Sequence, residues 1–284
     1  MPCTRASQVY QLQRLSRRLV GAGLLAGLLV LLAGPGSLGA AQPDWLARAR
    51  QLYNGHQYEQ AIAAAQRVSA DPATAEVARL VIGRSHLELF RATANVSDLV
   101  AGREALAAVK ADTLAPRDRV DLLVGFAEVL YLDNRFAPAA ELFASALDSP
   151  LVAPEWRDTI LDWWASALDR VVQSGDAGRE AIYRDVVDRM DEELGRNPAS
   201  TTAAYWLAAA SRGAGDIDRA WNAAVAGWVR ASLAPRGGNA LRSDLDHLVQ
   251  TAIIPERARA MGGDRDQISA ALKEEWEAVK KEWK

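Results

Sequence analysis

Apolar positions recur every three to four residues along most of the chain, which predicts helices rather than strands. Between residues 201 and 232, two alanine-rich runs flank the turn Gly213-Ala214-Gly215-Asp216. Ala208 lies on the first run, and Ala220, Ala224 and Gly227 lie along one side of the second. Small residues there let two helices approach to ~8 Å, and Ile217 plugs the turn between them. The pattern predicts an antiparallel helix pair.

The same order recurs upstream. Trp45, Ala49 and Leu52 precede a turn at Gly55, and Tyr58, Ala61, Ala65 and Val68 follow it. Ala127 and Leu130 precede the turn Asp133-Asn134-Arg135, and Phe136, Ala139, Phe143 and Ala146 follow. The plug and the next small residue are three apart in Tyr58/Ala61, Phe136/Ala139 and Ile217/Ala220. These residues resemble the tetratricopeptide repeat (TPR), whose unit is a helix-turn-helix of about 34 residues. The resemblance implies an all-α fold: an α-solenoid of antiparallel helix pairs with a C-terminal capping helix.

Between the matching units the spacing is irregular. Gly83 falls inside a helical run over 74–90, and its partner helix is expected at roughly 98–109, after an extra loop at 92–97. A further pair of long helices is expected over 154–173 and 177–196. Beyond Pro235-Arg236-Gly237-Gly238 the pattern predicts a helix over 240–251, ended or kinked by Pro255. A last amphipathic helix over 266–283 places Ile268, Leu272, Trp276, Val279 and Trp283 on one face. Such a helix, with one polar face, suits the end of a solenoid. The organisation expected is a signal peptide at 1–41, a repeat region at 42–235 and capping helices at 236–284.

The leader reading rests on charge. Arg5, Arg14, Arg17 and Arg18 precede an apolar run at 19–33, a Gly34-Pro35-Gly36 break and the small residues Ser37 to Ala41. This is the order of a cleaved secretory signal, which implies a periplasmic or secreted protein. The alternative is an uncleaved anchor, although the run is short for the ~20 residues that span a bilayer. Of the 33 Lys and Arg, 29 remain without those four, against 36 Asp and Glu. No basic stripe points to nucleic acid. Cys3, the one cysteine, precedes the apolar run, so a mature chain would have no disulfide. The sequon Asn95-Val96-Ser97 matters only in a glycosylating host.

Candidate chemistry is sparse. His56, His86 and His247 are far apart, with no metal-ligand spacing. No phosphate loop follows a strand and no nucleophile elbow is present, so neither an enzyme nor a cofactor or metal site is expected. Asp244, Asp246 and His247 read as a solvated helix face. The acidic series Asp185, Asp188, Asp191, Glu192 and Glu193, interleaved with Arg184, Arg189 and Arg196, reads as a self-paired surface. Most of the nine tryptophans read as core, opposite alanines. Adjacent Trp163 and Trp164 cannot both face one core, so one is expected at a groove or edge.

In TPR proteins the first helix of each unit lines the concave face. Carried over, this implies partner-binding positions at Arg50, Tyr53 and Asn54; at Asp121, Glu128, Tyr131 and Trp163; and at Tyr205 and Arg212. The function implied is non-catalytic capture of a protein or peptide partner. The alternative is a periplasmic small-ligand binder or transporter accessory subunit.

Overall fold

The computed structural model describes residues 44–175 and 178–284; the leader expected at 1–41 lies outside them. The described residues are helical, without strands. Contacts divide the chain into two compact units, the first ending at Leu114 and the second beginning at Ala115.

In the first unit, α1 (Trp45–Asn54), α2 (Tyr58–Gln66), α3 (Ala75–Thr93) and α4 (Val96–Ala107) each pack on the next, and α1 also packs on α3. Asp44 caps α1, accepting a hydrogen bond from the Ala47 amide at 2.9 Å. The loop expected at 92–97 is absent. Ala94 adopts a left-handed φ of 57° and Asn95 caps α4 directly, so two residues turn the chain. The helices of this pair meet through glycine: a Cβ on Gly83 would come within 2.7 Å of Leu106, and one on Gly102 within 2.8 Å of Leu87. The irregular spacing falls after α4, around a 3₁₀ turn at Ala111–Thr113.

The second unit contains α5 (Pro116–Leu132), α6 (Phe136–Leu147), α7 (Pro154–Gln173), α8 (Arg179–Arg196), α9 (Thr201–Gly213) and α10 (Ile217–Arg230). It continues through α11 (Gly238–Leu248), a π-helical turn (Val249–Ile253), α12 (Ile254–Met261) and α13 (Arg265–Glu282). Sequence neighbours pack together, and α5 also meets α7, α7 meets α9, and α9 meets α11. Ala127, Ala139, Ala165, Ala208, Ala220 and Ala224 are fully buried where helices cross. Gly227 faces Leu245 and Ala204, and a Cβ there would sit 2.9 Å from the leucine.

Three helix pairs share one turn. His56, Asn134 and Gly215 are left-handed, each two residues before its plug, Tyr58, Phe136 or Ile217. The following amide reaches back five residues each time: Gln57 to the Leu52 carbonyl, Arg135 to Leu130 and Asp216 to Ser211. This is a Schellman C-cap, which satisfies the last carbonyls of the first helix. The three turns are therefore alike in their hydrogen bonds.

Two surface expectations are corrected. Asp246 keeps a third of its side chain in solvent yet is engaged, because one carboxylate oxygen accepts from Trp276 Nε1 at 2.7 Å, Lys280 Nζ at 2.8 Å and Gln250 Nε2 at 2.9 Å. It thereby fastens α13 to α11. Glu193 is no surface acid either; it is 4% exposed and is held by three arginines. On α13, Leu272 and Trp276 are buried, whereas Trp283 is exposed although it shares their heptad face. Trp276 meets Trp221 and Trp228 edge-on, at ring separations of 6.1 and 5.4 Å.

Candidate functional site

In the second unit, α5, α7 and α9 bring together aromatic, acidic and basic side chains. Tyr131, in the last turn of α5, packs edge-on against Trp163 of α7 with ring centroids 4.6 Å apart. Its other side meets Phe136 at 5.2 Å. Arg170, one turn from the end of α7, is exposed and lies over the Phe136 ring at 5.6 Å. Burial raises the Tyr131 hydroxyl above its usual pKa, opposed by the nearby Arg170 charge.

Trp163 and Arg170 share one face of α7, seven residues apart, and Asp162 and Asp169 share a second face about 100° away. Asp162 accepts from Trp206 Nε1 of α9 at 2.8 Å. Asp169 accepts from the Tyr183 hydroxyl of α8 at 2.6 Å and from Gln173 Nε2 at 2.6 Å. Burial raises the Asp169 pKa; the Tyr183 hydrogen bond and the charges of Arg170, Arg179 and Arg212 oppose that rise. Tyr183 in turn lies flat on the backbone of Gly213, where a Cβ would come within 2.6 Å of its ring. Arg212 is engaged by α12: its Nε and Nη2 donate to the two Glu256 oxygens at 3.0 and 2.6 Å.

Of the residues implied by the resemblance, Tyr131 and Trp163 come together, whereas Arg212 is paired with Glu256 of α12. Tyr205 is buried and packs edge-on against Trp206 at 5.7 Å. Glu128 is buried on α5 and Asp121 is half-buried. Arg50, Tyr53 and Asn54 belong to the first unit, where Arg50 and Asn54 are exposed. Tyr53 is buried there, edge-on to Tyr58 at 5.7 Å and beneath Arg84 at 5.2 Å.

The tryptophan doublet overturns an expectation. Trp163 and Trp164 are equally shielded, at 8% each, so neither stands at an open groove. Helix α7 packs against α6 on one side and α8 and α9 on others, so side chains about 100° apart both find cover. Trp163 fills the space beside Tyr131 and Phe143.

Sequence reasoning missed Asp162, Asp169, Arg170 and Glu256. Arg170 was readable seven residues on from Trp163, and Asp162 and Asp169 as a pair at the same spacing. Glu256 carried no such signal, since it is 44 residues from Arg212. Among the described residues no group of three or more His, Cys, Asp or Glu is placed to hold a metal ion. No described helix is long and apolar enough to cross a membrane. Compared with family models, curated proteins and solved structures, the chain matches none.

Proposed function

We propose that the protein is an exported, non-catalytic binding scaffold of TPR-like helix pairs, with 236–284 capping the stack. Its partner is a protein or peptide, engaged on the face formed by α5, α7 and α9. The observation that carries this reading is Tyr131, backed edge-on by Trp163 and Phe136, beside the exposed guanidinium of Arg170. Aromatic and arginine side chains in such proximity are the residue types that dominate binding energy at interfaces. The repeated Schellman turn and the packing of α5 on α7 and α7 on α9 support the repeat architecture. Export rests on the arginine-led apolar leader in the sequence.

A small ligand held by the same aromatic and arginine side chains is the second reading. Quantitative affinity capture from envelope extracts separates the readings. Under the scaffold reading, Tyr131→Ala and Arg170→Ala each deplete the same captured protein at least about fivefold. Recovery equal to wild type with both variants removes the scaffold reading. A thermal-midpoint rise with a metabolite, lost in Tyr131→Ala, selects the small ligand.

A further inference from the structure

The helical backbone that begins with α11 runs on past Pro255. Proline cannot donate the hydrogen bond due to the fourth residue back, and its ring crowds that carbonyl. The chain answers with one wider turn: the Ile254 amide donates to the Val249 carbonyl five residues back, and the backbone stays helical into α12. A π turn holds one residue more than an α turn, and single π turns inside helices are frequent at functional sites. Each residue rotates the helix by about 100°. The extra residue therefore decides which side chains of α12 look back at the repeat.

Two consecutive residues use that rotation. Glu256 takes Arg212 of α9 in a two-pronged pair at 2.6 and 3.0 Å. Arg257 lies over the Trp221 ring at 4.8 Å, with its Nε 3.3 Å from Asp218 of α10. The Arg212–Glu256 pair keeps 28% and 33% of its side chains in solvent, unlike Arg157–Glu193, whose carboxylate keeps 5%. A pair that water and salt can reach is screened more than a buried one, so breaking it costs the fold less.

We infer that Glu256 is a built-in occupant of Arg212, swung into place by the π turn, which an anionic group of a partner must displace to reach α9. The inference rests on the binding reading of that face. It makes the C-terminal helices a regulatory contact as well as a cap, holding the guanidinium closed until a competitor arrives.

The test needs no partner. Full-length protein is labelled with 4-hydroxyphenylglyoxal, and modification of Arg212 and Arg157 is followed by peptide mass mapping. Glu256→Gln should speed labelling of Arg212 about tenfold and leave Arg157 unchanged. Deleting exposed Thr251 should restore an α turn, rotate Glu256 away and speed Arg212 to the same degree, with helical circular dichroism retained. Millimolar inorganic phosphate should then protect Arg212 in Glu256→Gln but not in wild type. Unchanged labelling in Glu256→Gln overturns the inference. So does a folded deletion variant with Arg212 still protected, or equal phosphate protection in both proteins. Where the deletion variant unfolds, Glu256→Gln alone decides. A chain whose Arg212 responds as expected, but whose Tyr131→Ala variant captures the same partners, would retain the contact and lose the binding reading.

Discussion

The two ends of α8 handle a shielded carboxylate in opposite ways. Near its C-terminus, Glu193 receives Arg157 through two hydrogen bonds at 2.6 and 2.8 Å, Arg196 at 2.9 Å and Arg189 at 3.2 Å. Burial pushes its pKa up, but Arg157 and the charges of Arg189 and Arg196 hold it below the ordinary carboxylate range. Arg157 also donates to the Leu147 carbonyl at 2.9 Å, so one group ties α6, α7 and α8. At the N-terminal end, Asp169 is met by the neutral donors Tyr183 and Gln173, and burial leaves its pKa raised. Enclosure alone does not set a carboxylate's behaviour. The charge of the groups touching it does, and here the charge-satisfied end locks the fold while the other faces the candidate surface.

The largest effect expected from breaking this comparison is at the locked end. Glu193→Ala leaves Arg157 partly buried without its carboxylate, and loss of such a partner costs ~3–5 kcal/mol. Urea unfolding should show it; a loss below about 1 kcal/mol would mean that the three arginines do not depend on Glu193. Arg157→Met with Glu193→Leu should recover most of the loss, because apolar replacement of a buried pair is often neutral.

The two ends also predict opposite pH dependence. A lowered folded-state pKa makes the contribution of Glu193 complete above the unfolded value of ~4.3 and lost as pH falls through the folded pKa. A raised folded-state pKa makes Asp169 the reverse. Its ionised form opposes folding above that pKa, and the penalty disappears as pH falls toward the unfolded value of ~3.9. Wild type should therefore lose stability in acid less steeply than Asp169→Asn, and more steeply than Glu193→Gln. Denaturant midpoints between pH 3 and 6 check both orderings, and parallel curves for all three proteins would sink the comparison.

A smaller effect isolates the repeated turn. At Gly215, φ is 87° and a Cβ would meet nothing within 4 Å, so Gly215→Ala tests backbone strain alone. The left-handed conformation should cost ~1–2 kcal/mol. Asn134→Gly at the equivalent turn should instead be neutral or slightly stabilising, since asparagine already tolerates that region. Thermal unfolding of the pair gauges whether the turns are equivalent in energy as they are in hydrogen bonding.

Helix positions were largely legible in the sequence because each signal is local. Apolar spacing marks the face, alanine or glycine marks a close approach, and a residue such as Asp44, Ser200 or Asp216 marks a start. The exceptions were positions with two local solutions. Residues 92–97 read as a loop, but Ala94 and Asn95 turn the chain within two residues. Pro255 read as a stop or kink, and the helical backbone passes it through a π turn, a solution that spacing alone did not show.

The candidate surface was less legible. Tyr131 and Arg212 were indicated by their register in the helix pairs and Trp163 by the tryptophan doublet, but their surroundings were set by helices distant in sequence. One of Trp163 and Trp164 was expected at a groove or edge because one helix face was assumed to be covered; packing against α6, α8 and α9 covered more than one. Sequence by itself determined the helices, their small-residue contacts and the turn shared by three pairs, since propensity, periodicity and capping act within a few residues. Tertiary structure alone decided that Glu193 and Asp246 are anchors and that Glu256 closes on Arg212. A charge is ranked by what reaches it through space, and those groups stand 30 to 44 positions away along the chain.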